Sequence, residues 1–178
     1  MSKLRKAVFL DRDGVINQSI VRNGKPFPPS SLDEVKIIDG VVEALAALRQ
    51  AGFLLIVVTN QPDVARGTVV NSVVEEINAF FKKELLLDDV FVCIHDDKDK
   101  CDCRKPLPGL ILQAAKKYNI DLKQSFMVGD RWKDVEAGRR AGCKTIWIDL
   151  GYDEKKPSVT PNHVTRSLSA AISWILQT

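Results

Sequence analysis

Short apolar, often β-branched runs alternate along this chain with longer amphipathic stretches, and that alternation narrows the possible folds more than any other feature. The runs near 6–10, 53–58, 89–94, 125–129 and 144–149 have strand length, while the stretches near 40–51, 71–87, 108–119, 132–141 and 167–177 repeat apolar residues at helical spacing. Strand then helix, repeated, predicts a central parallel sheet with helices on both faces, a Rossmann-like three-layer α/β/α architecture. Gly52 and Gly142 follow Ala51 and Ala141, where a glycine can close the last helical turn. With 178 residues, one domain over 1–178 is expected, without a large cap domain. Two segments read as loops: Asn17 to Ser31, with Pro26, Pro28 and Pro29, and Gly151 to Asn162, with Pro157 and Pro161.

The first run, Ala7-Val8-Phe9-Leu10, stops at Asp11-Arg12-Asp13-Gly14. In an extended chain alternate side chains share a face, so Asp11 and Asp13 can converge at the strand's end while Gly14 lets the chain turn. Two carboxylates so close repel, and a bound cation relieves the repulsion. Other polar clusters fall at the ends of later strands: Thr59-Asn60-Gln61, Gly129-Asp130, and Arg104-Lys105 in the loop after the third. Ligands of open α/β sheets bind beyond the carboxyl ends of the strands, where all of these residues belong. Asp11, Asp13 and Asp130 offer the hard oxygen ligands that suit Mg²⁺, and Lys105 with the Thr59 hydroxyl adds a positive charge and a donor, together a site for a phosphoryl group. With no serine, cysteine or histidine evidently poised to attack, a carboxylate is the candidate nucleophile, and Asp13 can move the protons.

Cys93-Ile94-His95 and Cys101-Asp102-Cys103 bring four soft ligands within eleven residues, in the C-x-H and C-x-C spacings that let partners two apart point to one side. That composition predicts a closed, structural Zn²⁺ site in a loop over 93–103, which would fix the pose of the adjoining Arg104-Lys105. Cys143 stands apart and is expected to pack as a small apolar side chain. Trp147 is expected in the core, Trp132 as an exposed wall of the site, and His163 in the second loop without a catalytic part. The net charge of +3, with no basic stripe or aromatic platform, argues against nucleic acid. No apolar run reaches transmembrane length and none near the start resembles a signal-peptide core, so a cytoplasmic protein that keeps off membranes is expected.

Four segments together, Asp11-Arg12-Asp13-Gly14-Val15-Ile16-Asn17, Thr59-Asn60-Gln61, Cys103-Arg104-Lys105-Pro106 and Val128-Gly129-Asp130-Arg131 through Asp134, resemble in order and spacing the four motifs of haloacid dehalogenase superfamily phosphatases, over about residues 6–150. Within that superfamily the likeness is greatest to the phosphatases of heptose bisphosphates and of histidinol phosphate, which carry the same zinc loop. The resemblance implies an aspartyl-phosphate mechanism with Asp11 as nucleophile and Asp13 as general acid and base. It implies Mg²⁺ held by Asp11, the Asp13 main-chain carbonyl and Asp130, and a phosphoryl group gripped by Thr59 and Lys105. Asn60, Gln61, Arg66, Arg104 and Arg131 would help bind the substrate, and Asp134 would either order the metal's surroundings or cap the following helix. A small sugar phosphate is the expected substrate and a monomer the expected state. A heptose bisphosphate is the leading choice, with histidinol phosphate, or a zinc-stapled interaction module without catalysis, as alternatives. Three loops depart from the heptose pattern: Gln18 to Ser31 is longer and proline-rich, Pro62-Asp63 replaces a Ser-Gly, and Asp149-Leu150-Gly151-Tyr152 replaces a Thr-Gly segment. The motifs therefore define the reaction more narrowly than the sugar.

Overall fold

The computed structural model describes residues 4–178. In chain order the elements are β1 (Ala7–Leu10), β2 (Ile20–Arg22), β3 (Lys25–Phe27), α1 (Val41–Gln50), β4 (Leu54–Asn60), α2 (Asn71–Glu84), β5 (Asp89–Cys93), α3 (Gly109–Tyr118), β6 (Phe126–Gly129), α4 (Trp132–Ala141), β7 (Lys144–Ile148), β8 (His163–Thr165) and α5 (Leu168–Gln177). Six strands form one sheet in the order β5-β4-β1-β6-β7-β8, with every neighbouring pair parallel. From β1 the chain builds outward through β4 and β5, then returns to the other side of β1 for β6, β7 and β8. The topological switch point therefore lies between β1 and β6, whose carboxyl ends carry Asp11 and Asp130.

Alternation along β1 divides the core. Val8 and Leu10 face one layer with Leu55, Val57 and Val128, against Leu45 and Leu48 of α1, Ile77 and Phe81 of α2, and Leu168 and Ile175 of α5. Ala7 and Phe9 face the other with Ile56, Val58 and Met127, against Leu110 and Ile111 of α3 and Ala137 of α4. All four β1 side chains are fully buried. Truncating Phe9 to alanine would cost about 3–5 kcal/mol. On that second face α4 comes so close to β6 that a Cβ on Gly138 would lie 2.5 Å from the Met127 Cβ.

The five strands and five helices expected from periodicity are present, α4 with the expected boundaries and α2 ending earlier, at Glu84. Two features differ. The first loop contains the antiparallel hairpin β2–β3, turned by Asn23 and Gly24, both at positive φ (50° and 73°). Asn-Gly is a strong signal for such a two-residue turn, but strands of three residues are too short to show alternation. His163, expected in the second loop, opens β8 and stacks on Trp174 with ring centroids 5.0 Å apart. Among the described residues the hairpin is the first element after β1, and with Asp63, Arg66, Arg104, Asp153 and Glu154 it surrounds the sheet's carboxyl edge.

Candidate active site

A cavity of about 480 Å³ opens at that edge, with Asp11, Asp13, Asn60, Lys105, Asp130 and Asp134 at its base. Strand ends deliver Asp11, Asn60 and Asp130, while Lys105 comes from the loop after β5 and Asp134 from α4. β1 stops at Leu10 and places Asp11, β6 stops at Gly129 and places Asp130, and α4 starts at once so that Asp134 sits in its first turn. Asp134 caps that helix: its Oδ2 accepts the Arg131 N–H at 2.9 Å, while its Oδ1 takes Lys105 Nζ at 2.6 Å. Two glycines make room for the carboxylates. A Cβ on Gly14, whose φ is +86°, would fall 1.9 Å from Asp130 Oδ2, and one on Gly129 would fall 2.1 Å from the Asp134 Cβ.

Lys105 is buried at the centre, its ammonium also bonded to Asp11 Oδ1 at 2.9 Å and to the Val58 carbonyl at 2.8 Å. Burial by itself pushes this ammonium toward neutrality, but the Asp11 and Asp134 charges outweigh it and raise its pKa. Asp11 is raised to about 6, first by burial and then by repulsion from Asp134, with Lys105 opposing both. Asp130 is also pushed well above the usual carboxylate value, by burial and by the charges of Asp11 and Asp134. Burial and the Asp130 charge also raise the Tyr152 phenol.

Asp11, Asp130 and Asp134 each offer an oxygen within 4.8 Å of the others, and both Asp130 carboxylate oxygens are buried without a hydrogen-bond partner. A buried carboxylate left bare is costly. Oxygen donors only, mutually repelling and partly unpaired, suit a hard divalent cation such as Mg²⁺. The sulfur and nitrogen ligands form a second group. Cys93 Sγ lies 3.1 Å from Cys103 Sγ, 3.7 Å from Cys101 Sγ and 3.6 Å from His95 Nδ1, and His95 Nδ1 lies 3.4 Å from Cys103 Sγ. Burial raises the Cys93 and Cys103 thiols, whereas at Cys101 hydrogen bonds from its neighbours outweigh burial and bring it to about 7. Four such ligands facing one another have the composition and closeness of a closed tetrahedral Zn²⁺ site. Isolated Cys143 is raised to about 12 by burial, which makes it an unreactive core residue.

The remaining residues singled out in the sequence take several positions. Thr59 and Gln61 are buried behind the cavity wall, with Gln61 Nε2 donating to Thr59 Oγ1 at 2.9 Å and to Asp13 Oδ2 at 2.8 Å. Asn60 uses both ends of its amide on the Lys105 main chain, at 3.0 Å each. The three arginines line the cavity already paired: Arg66 with Asp96 and Asp63, Arg104 with Asp97, Arg131 with Glu154. Asp63, an acid in a region expected to meet an anion, thus has its charge met by Arg66. Trp132 does not line the cavity; Lys155 lies 3.4 Å over its ring. Trp147 is only partly buried and donates its indole N–H to the Asp130 carbonyl at 3.1 Å. That link and the pairing of the arginines have no local sequence signal, because each joins residues distant in sequence or depends on a side chain's direction.

A family model described as haloacid dehalogenase-like hydrolase matches residues 29–142. The chain is 37% identical over 182 residues to D-glycero-beta-D-manno-heptose-1,7-bisphosphate 7-phosphatase of Pasteurella multocida (strain Pm70), covering 93% of this chain and 94% of that one. It is 34% identical over 189 residues to the phosphatase of the same name from Escherichia coli (strain K12), covering 99% and 91%. Among solved structures it resembles D,D-heptose 1,7-bisphosphate phosphatase from B. bronchiseptica complexed with magnesium and phosphate, with a TM-score of 0.79, 31% identity, and coverage of 97% of this chain and 98% of the other.

Proposed function

The chain belongs to the haloacid dehalogenase-like hydrolases, and on that premise we propose that it is a Mg²⁺-dependent phosphomonoesterase whose substrate is a heptose 1,7-bisphosphate, cleaved at the 7-phosphate. One observation carries the reading: the Asp11 carboxylate faces the cavity, with Lys105 Nζ 2.9 Å away and the bare oxygens of Asp130 beside it. A hydrolase relative crystallised with magnesium and phosphate, and relatives named for the heptose substrate, support it.

Asp11 Oδ1 already accepts Lys105 Nζ and, at 2.8 Å, the Arg12 N–H, which leaves Oδ2 to attack phosphorus in line. The bond from phosphorus to the sugar oxygen breaks, Asp13 gives that oxygen a proton, and an aspartyl phosphate forms on Asp11. Water, losing its proton to Asp13, then attacks phosphorus and releases phosphate, which restores the Asp11 carboxylate and the protonated Asp13. Lys105, its ammonium held by three acceptors, is a fixed positive charge beside the phosphoryl oxygens as charge builds on them. Mg²⁺, held by Asp11, Asp130 and the Asp13 carbonyl, would offset the repulsion between the nucleophile and the anionic phosphate. Asp134 orients Lys105 and the start of α4. Arg66, Arg104 and Arg131 would meet the rest of the substrate by exchanging their rim carboxylates for it. Zn²⁺ on Cys93, His95, Cys101 and Cys103 would hold the loop that carries Arg104 and Lys105, completing a single-domain enzyme.

The test is phosphate release with Mg²⁺ from both anomers of heptose 1,7-bisphosphate, other sugar phosphates and histidinol phosphate, with Asp11→Asn as the blank. The expected result is a clear preference in kcat/KM for a heptose bisphosphate. Preference for another phosphate ester would reassign the substrate, and activity that survives Asp11→Asn would overturn the mechanism.

A further inference from the structure

Arg12 is the largest of the fully buried side chains, 1% exposed, yet it sits between two cavity residues and does not line the cavity itself. A buried guanidinium carries a desolvation cost of several kcal/mol unless its charge and donors are met. Here they are met on two sides. Nε lies 3.2 Å from both oxygens of Asp13 and Nη2 lies 3.1 Å from Oδ2, a forked grip on one carboxylate. On the far side Nη1 donates to Asn78 Oδ1 at 3.0 Å. Asn78 belongs to the face of α2 that otherwise buries Val74, Ile77 and Phe81, so a helix from the core holds the guanidinium by its outer nitrogen. Asn17 Nδ2 and Gln61 Nε2 complete the set around Asp13, at 2.9 and 2.8 Å.

We propose that Arg12, anchored by Asn78, is a positioning residue that aims the Asp13 carboxylate at the leaving oxygen of the substrate. The inference rests on the reading of Asp13 as the group that moves protons. A proton passes efficiently only between heavy atoms about 2.6–3.2 Å apart, and a carboxylate on one rotatable side chain has several orientations available. The fork leaves it one, and Asn78 keeps the fork from following Asp13 when substrate arrives. Neither Arg12 nor Asn78 touches the cavity, so substrate binding does not depend on them directly.

The leaving group separates positioning from mere structure. A sugar alkoxide needs a proton to depart and p-nitrophenolate does not, while kcat/KM reports the steps only through departure. In Asn78→Ala, kcat/KM for the sugar phosphate is expected to fall about 10-fold and for p-nitrophenyl phosphate far less, the loss lying in kcat; Arg12→Met is expected to widen the gap to about 100-fold. Asn78→Asp, which keeps an acceptor, is expected to restore most of it. Equal losses on both substrates, or none in a folded Asn78→Ala, would overturn the proposal, and Asn78→Ala decides alone if Arg12→Met does not fold. Asp13→Asn distinguishes the two levels. If it lowers both substrates equally, the proton-transfer role of Asp13 is wrong; if it is selective and the Arg12 and Asn78 variants are not, only the positioning role fails.

Discussion

Two groups of ligand-bearing side chains lie two residues apart in the chain, where Cys103 belongs to one and Lys105 to the other, and they are built on opposite plans. The oxygen group gathers Asp11, Asp130 and Asp134 from distant segments, includes a buried cation, leaves two carboxylate oxygens bare and opens on a cavity. The sulfur group comes from residues 93–103 alone, and its four ligand atoms point at one another. A site that does chemistry needs an open position and strained electrostatics; a staple needs neither. On the proposed function, charge in the first group serves reactivity at some cost in stability, and the second serves stability and holds Lys105 in place.

The largest effect that would test this division is on turnover. Asp11→Asn is expected to lower kcat by at least about 10³-fold while the thermal midpoint holds or rises, since one of three mutually repelling carboxylates loses its charge. A variant both inactive and unstable would mean that the oxygen group is structural too. At the sulfur group the expectation reverses. Stripping Zn²⁺ with a chelator, or making Cys101→Ser, should lower the midpoint by about 10 °C, read by scanning fluorimetry with metal content measured alongside. An unchanged midpoint in metal-free protein would end the idea of a staple.

A smaller effect is expected at Trp147, whose indole N–H steadies the Asp130 carbonyl. Trp147→Phe should raise the Mg²⁺ concentration needed for half activity by about 10-fold, with loss of stability of about 1 kcal/mol. A large drop in stability with unchanged Mg²⁺ dependence would make this tryptophan simply part of the packing.

The smallest effect sharpens the comparison from outside both groups, at Asp89 on β5. Burial there acts to raise the carboxyl, but hydrogen bonds from Lys117 and Lys82, then Tyr118 and the Val90 N–H, outweigh it and hold the pKa well below the usual carboxylate range. A folded pKa below the unfolded one stabilises above the unfolded value, about 4, and that stability is lost as pH falls toward the folded value. The gap in urea stability between wild type and Asp89→Asn should therefore be widest near neutral pH and close as the pH drops below about 4. A gap independent of pH would show that the lysines contribute packing and not charge.

Much of this was legible in the sequence. The layers followed from period: Val8 and Leu10 against Ala7 and Phe9 divide the core as alternation requires. The sulfur group followed from residue type at short spacing; of the oxygen group, Asp11 and Asp130 are expected from their places at strand ends, while the sequence leaves open the place of Asp134 beside them. The hairpin at Asn23-Gly24 carried a recognisable turn signal but lay in a segment dominated by prolines. Other features had no local signal. Arg66, Arg104 and Arg131 read as anion receptors, yet each already holds a rim acid, and Gln61, expected to meet substrate, bonds to Asp13 and Thr59 behind the wall.

The sequence by itself determined the architecture, the edge of the sheet where a site belongs, and the candidate groups gathered there. Those properties are carried by local periodicity and by residue types, which survive in one dimension. Only the tertiary structure decided which way the groups face: that Lys105 lies between Asp11 and Asp134, that Asp130 keeps its oxygens bare, and that Arg12 turns from the cavity to join Asp13 to Asn78, 66 positions away. Hydrogen bonds and ion pairs depend on distances of a few tenths of an ångström between segments far apart in sequence. Packing sets those distances, and no local pattern records them.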